Sequence, residues 1–168
     1  MPVNPELKER PAVSYAGVRI RLNREGLAQA VPEAISRLNA YLAMHSLSPS
    51  GPALVRYFVV DYNHGDVDAD VGFPVELPSI PADERIHYGQ LPQGTYATVL
   101  HQGPYDSLVD TTASLLEWAK ETDHPWRALS EGNVTWWAAR VEHYLVAPPR
   151  EASPSQWLTE VAILLRSG

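Results

Sequence analysis

The chain has 168 residues, 45% of them hydrophobic, with 13 Lys and Arg against 20 Asp and Glu for a net charge of −7. That length suits one domain with a proper core, and the acidic balance repels phosphate backbones and anionic lipid surfaces, so neither nucleic acid nor membrane is an expected partner. The absence of cysteine excludes a disulfide framework and a thiolate metal site. The N-terminal "MPVNPELKER" lacks a signal-peptide core and no apolar run reaches membrane-spanning length, so a cytoplasmic protein is expected.

In chain order, "AVSYAGVRIRL" (12–22) alternates as a strand, with Val13, Tyr15, Gly17, Arg19 and Arg21 on one side. Val31, Ile35, Leu38 and Leu42 then recur at helical spacing, which predicts a helix to about His45 with Pro32 in its first turn. "GPALVRYFVV" (51–60) and "DVDADVGFPVEL" (66–77) read as strands around the turn-rich "DYNHG". "PSIPADER" (78–85) breaks the pattern as a linker does.

After it the order begins again. "YATVLHQ" from Tyr96 is strand-like and mirrors "YAGVRI" from Tyr15. "SLVDTTASLLEWAKE" is helical, with Ser107 and Asp110 at capping-box spacing and Leu108, Thr112, Leu115 and Ala119 along one face. "VTWWAARVEHYLV" (134–146) and "WLTEVAILL" (157–165) follow as two strands joined by the proline-rich "APPREASPSQ". Each half, about 12–77 and 86–166, is strand, helix, strand, strand, and is too small to bury its sheet alone, so the halves are expected to pack together.

Alternation in 134–146 puts Trp136, Ala138, Arg140, Glu142 and Tyr144 on one face and Trp137, Ala139, Val141 and His143 on the other. A carboxylate among aromatic rings attracts an organic cation, because ring faces and a poorly solvated negative charge both favour it. The alternative is an exposed Glu142–Arg140 pair. In "HQGPYDSL" (101–108), a strand end, a Gly-Pro turn and a helix start, Tyr105 either covers the first helical turn or is aimed, with His101, at a ligand. "DYNHGDVDAD" is not a calcium loop, since Gly72 stands where the last glutamate belongs; Asp66, Asp68 and Asp70 are expected on a solvated strand face. The six histidines show no metal-ligand spacing and no nucleophile elbow or phosphate loop occurs, so no metal or cofactor is expected.

"LPQGTYATVLHQGPYDSL", the "LLEWAK" helix, "VEHYLVAPPRE" and "WLTEVAILL", with "DADVGFPVEL" in the first half, together resemble the GyrI-like small-molecule-binding domain, itself similar to the effector-binding domains of multidrug-sensing transcription activators. The resemblance implies an α+β fold of duplicated strand-helix-strand-strand units with pseudo-twofold symmetry, mostly antiparallel sheets and a ligand cleft between the halves. It implies bulky, planar hydrophobic, often cationic ligands held by aromatics and a buried glutamate, with Glu142, Trp136, Tyr144, Tyr105, His101, Tyr96, Phe73 and Tyr57 as candidates. Related regulators carry a DNA-binding domain ahead of this one; here only about ten residues precede the first expected strand, so a stand-alone sensor or scavenger is expected, with no protein partner indicated. The alternative is enzymatic, since some stand-alone members resemble hydrolases that open cyclopropane rings of DNA-alkylating natural products. Glu142 would then position or deprotonate water, while Tyr144 or Tyr105 polarised the departing carbonyl system.

Overall fold

In the computed structural model, which describes residues 4–76, 85–148 and 150–167, the first strand begins earlier than alternation suggests. β1 (Glu6–Arg10) is followed by β2 (Val13–Asn23), α1 (Leu27–Met44), β3 (Leu54–Asp61) and β4 (Asp66–Pro74). The second half runs β5 (His87–Leu91), β6 (Gly94–Gln102), α2 (Leu108–Glu121), β7 (Ala128–Glu131), β8 (Val134–Val146) and β9 (Leu158–Leu164). The segment read as a linker lies, except for Arg85, outside the described residues.

The start of α1 and the capping of α2 differ from expectation, while α2 begins directly after Ser107 as expected. The Asn23 side chain accepts from the Glu25 amide at 3.1 Å and opens a single 3-10 turn, Arg24–Gly26, so α1 begins at Leu27. Pro32 therefore sits in the second turn, where it supplies no amide to the ladder. Ahead of α2 the Ser107 hydroxyl donates to the Pro104 carbonyl at 3.1 Å instead of closing a capping box. The buried face of α2 is the expected one: Leu108, Thr112, Leu115 and Ala119.

The strands form one curled antiparallel sheet in the order β1-β6-β9-β8-β3-β4-β2-β5, with β7 added on β8. Its registers make the duplication explicit. Tyr15 faces Pro74 as Tyr96 faces Leu164, Arg19 faces Asp70 as Leu100 faces Glu160, and Val55 faces Val71 as Glu142 faces Val161. The two central strands, β3 and β8, pair with each other, and Val55 faces Glu142 there. These two residues are thus equivalent and adjacent, and the pseudo-twofold axis passes between them. The leading strand of each half is exchanged: β1 pairs with β6 and β5 with β2.

Both helices cover the same face of the sheet. Leu38, Leu42 and Leu115, each at most 2% exposed, pack against Val55, Val71, Val161 and Ile163 from the central strands, and each such side chain contributes roughly 1.5–3 kcal/mol through removal from water. α1 lies over β2 and β4 and α2 over β6, so β3 and β8 run between them. On the opposite face Tyr15, Leu54, Tyr96, Val141 and Leu164 form a second apolar layer.

That opposite face also corrects the reading of the aspartates. Asp68 does sit near the surface with Arg19 and Arg21, but Asp70 is 1% exposed. It accepts from Tyr15 at 2.5 Å, from Arg19 at 2.8 Å and from the His87 ring at 3.0 Å. Burial would raise the Asp70 carboxyl, yet these bonds outweigh it and hold the group below its ordinary value. Gly89 on β5 makes room for the Tyr15 ring, since a Cβ there would meet its hydroxyl at 2.5 Å. Among the described residues no helix is long and apolar enough to cross a membrane.

Candidate functional site

Strand alternation carries Tyr144, Glu142 and Arg140 along the helix-covered face of β8, and Tyr57 and Val55 along the same face of β3. Glu142 is 9% exposed. The Tyr144 hydroxyl donates to Glu142 Oε1 at 2.9 Å and the Tyr57 hydroxyl donates to the same oxygen at 3.2 Å. Tyr57 faces Ala69 as Tyr144 faces Thr159, so the two tyrosines are equivalent across the axis. Oε2 accepts no hydrogen bond from the described residues.

Burial pushes the Glu142 carboxyl up, against the opposing pull of the Tyr144 hydroxyl, the Arg140 charge and the Tyr57 hydroxyl. Burial likewise pushes Tyr57 and Tyr144 well up, and the neighbouring carboxylate adds to it, so both stay protonated donors. Tyr105 extends the aromatic surface: its ring stacks on Trp157 with centroids 4.7 Å apart and meets the Tyr144 ring edge-on at 5.6 Å. Its hydroxyl is also pushed up, by burial first and then by the Glu142 charge.

Arg140 does not form the surface pair with Glu142. Its guanidinium lies over the rings of Trp137 and Tyr57, 5.2 Å and 5.3 Å from their centroids, and donates to the Tyr62 hydroxyl at 2.9 Å. Trp137 is there because the β3–β8 register shifts between Tyr57 and Val59, where a bulge lengthens β8 relative to β3. Strict alternation fails at that point: Trp137 is buried in the helix-side core, while Trp136 is 44% exposed and away from Glu142.

The remaining candidates are spread over the fold. Phe73 is half-buried against the helix-side core. Tyr96 belongs to the opposite face, where its hydroxyl donates to the Pro92 carbonyl at 2.6 Å. His101 is buried and pins the start of α2, with Nδ1 2.7 Å from the Thr111 hydroxyl and Nε2 3.0 Å from the Pro104 carbonyl. Donation to that carbonyl places a proton on Nε2, and the Thr111 hydroxyl is the partner of Nδ1. The residue lines a groove of about 650 Å³ between β1, β6 and α2, not the surroundings of Glu142. The structure therefore brings together Glu142, Tyr57, Tyr144 and Tyr105, and adds Trp157 and Arg140. Trp157 carried a usable signal, since a tryptophan in a proline-rich connection needs a partner for its ring. No group of three metal-ligating side chains occurs among the described residues.

The curled half-barrel sheet, covered on one face by two helices, is the fold of a small-molecule-binding domain. The chain belongs to the GyrI-like small molecule binding domain family, whose model matches residues 3–166. It is similar in fold to EcmrR: in the EcmrR–DNA complex 98% of this chain matches with a TM-score of 0.76 at 18% identity, and it spans 58% of the EcmrR chain. The isolated EcmrR C-terminal domain matches over the whole of both chains with a TM-score of 0.73 at 19% identity. SAV2435 bound to tetraphenylphosphonium matches 98% of this chain and 94% of its own, with a TM-score of 0.63 at 10% identity. A hydrolase from Listeria innocua matches 98% of this chain and 93% of its own, with a TM-score of 0.60 at 15% identity. No curated protein sequence matches the chain.

Proposed function

We propose that the chain binds bulky, planar hydrophobic compounds, often cationic, over Glu142 between the two helices. One observation carries this reading. Glu142 is a buried carboxylate with no ion-pair partner among the described residues, and both tyrosine donors use Oε1, which leaves Oε2 for a ligand. A buried charge without a counter-ion is unfavourable unless a cation can reach it. Tyr105, stacked on Trp157, meets the Tyr144 ring, so flat apolar area adjoins the tyrosine that holds Glu142. Tetraphenylphosphonium, the compound bound in the SAV2435 structure, is a bulky lipophilic cation, tetrahedral instead of planar, and so supports the bulk, charge and hydrophobicity of the proposed ligand class. The test is fluorescence titration with a rhodamine-type cation, a neutral planar dye and an anionic dye of like size. Glu142→Gln should lose about 1–3 kcal/mol toward the cation, the worth of a charge-assisted contact, and keep its affinity for the neutral dye. Equal affinity of the wild type for cation and anion would overturn the proposal.

A second reading is hydrolysis of a cyclopropane-bearing alkylator. It is favoured by the Glu142 carboxyl, which burial pushes above its ordinary value as proton transfer by a carboxyl group requires, and by the protonated Tyr144 hydroxyl beside it. Ring-opened product in excess of buffer, detected by mass spectrometry and lost in Glu142→Gln, is its signature.

A further inference from the structure

β7 is a sheet edge with an unusual composition. Most edge strands are blunted by lysine, proline or bulges that discourage a further strand. β1, at one end of the sheet, is "ELKER" and carries charge at every position but Leu7. β7 is "ALSE" and among the described residues pairs only with β8, and Leu129 within it is 74% exposed.

Register decides which backbone groups face outward. Glu131 and Val134 close a hairpin around Gly132 and Asn133, Gly132 having the positive φ of 60° that a first hairpin position accepts without strain. Hydrogen-bonded pairs then alternate: Glu131 with Val134, Leu129 with Trp136, and beyond the strand Arg127, whose carbonyl accepts from the Ala138 amide at 3.0 Å. Ala128 and Ser130 must therefore turn their peptide groups away from β8. The Ala128 amide bonds the Trp126 carbonyl at 3.0 Å, which leaves the Ala128 carbonyl and the Ser130 amide for another strand.

The sequence around this edge is complementary to itself. In an antiparallel pairing of two copies centred on Leu129, the run Arg127-Ala128-Leu129-Ser130-Glu131 sets Arg127 opposite Glu131 of the second copy and Ala128 opposite Ser130. Both charged residues are exposed and neither has an ion pair among the described residues. Each Ser130 amide would donate to the Ala128 carbonyl of the other copy, twice by symmetry. Side chains agree: Leu129 faces Trp136, which faces Val59 on the same side of the sheet, and Trp136 is 44% exposed. Pairing joins two such rows into one apolar stripe across the interface.

We infer that two copies of this chain associate through β7 in a twofold antiparallel edge-to-edge pairing. Closed twofold symmetry uses up the edge on both copies and prevents further addition. A net charge of −7 on each chain opposes association at every edge, and the local Arg127–Glu131 match offsets it at this one.

The lack of native cysteine gives a clean probe. Leu129 would face its own equivalent at a non-hydrogen-bonded position, where Cα atoms stand about 4.5 Å apart, within the range a disulfide spans. Leu129→Cys should form a covalent dimer under mild oxidation, while Glu131→Cys, facing Arg127, should not. In sedimentation experiments Arg127→Glu and Glu131→Arg should each weaken dimerisation several-fold, and the double reversal should restore it. Ser130→Pro, checked for folding by its thermal transition, should abolish it. A wild type that stays monomeric at about 1 mM, or charge reversals whose effects add without rescue, would overturn the assignment.

Discussion

Val55 and Glu142 occupy equivalent positions in the two halves and face each other across the pseudo-twofold axis, one apolar and one acidic. Their neighbours two residues on, Tyr57 and Tyr144, stay alike, and both converge on the single carboxylate. The duplicated frame thus places two donors symmetrically, and one substitution at the axis gives the site its charge.

That charge opposes folding at neutral pH. Because burial raises the Glu142 carboxyl above its unfolded value, the folded state holds the proton more tightly, and this contribution is lost as pH rises past the usual carboxylate range. Glu142→Gln keeps an acceptor for both tyrosines and removes the charge. It should melt higher than the wild type at pH 7, and the difference should vanish below about pH 4. Thermal denaturation across that range checks it.

Tyr57→Phe and Tyr144→Phe each remove one donor to a buried carboxylate, an interaction worth about 1.5–3 kcal/mol. The double variant leaves Oε1 without a protein donor and should cost more than the sum of the singles. In a Glu142→Gln background each loss should shrink, because the acceptor is no longer charged. Denaturant midpoints for this cycle give the coupling directly.

His143 lies on the opposite face of β8, with its pKa pushed down to about 4 by burial first; Glu160 works against that fall and Arg10 adds to it. Lys8 and Arg10 engage Glu160 at 3.2 Å and 2.7 Å, which limits its pull on an imidazolium. A depressed folded pKa means stability that is full above the unfolded value near 6.5 and lost as pH falls towards 4. The slope should be at most about 1.4 kcal/mol per pH unit. His143→Gln should flatten the stability curve between those limits.

His101 holds the turn before α2, so His101→Ala should destabilise by about 1–3 kcal/mol through the groups it leaves unpaired. Amide exchange should quicken over residues 104–111 with dye affinity unchanged. Weakened binding with normal exchange would instead assign His101 to the ligand.

The periodicities of Leu38, Leu42, Leu108 and Leu115 and the paired "YAGVRI" and "YATVLH" segments made both helices and the duplication legible in the chain itself. β1, β5 and β7 were not legible. "ELKER", "HYGQL" and "ALSE" are short edge segments whose solvent side tolerates charge and polarity, and their partners lie far away in sequence. In the site, Glu142, Tyr144 and Tyr57 follow from alternation and resemblance. The exchange of Trp137 for Trp136 does not, because a bulge changes parity without leaving a mark in side-chain pattern. Asp70 was misplaced for a related reason: its partners Tyr15, Arg19 and His87 come from two other strands.

The exchange of leading strands sets the order in which the chain acquires structure during synthesis. β1 emerges first but has no partner until residues 94–102 leave the ribosome, and β3 stays unpaired on one side until residues 134–146 follow. At ordinary elongation rates that interval lasts several seconds. Throughout it, the growing first half exposes the flank of its most apolar strand, "LVRYFVVD", to any neighbouring nascent chain. Nascent-chain holdases should therefore engage this chain once β3 has emerged, releasing it only when β8 arrives to close the middle of the sheet.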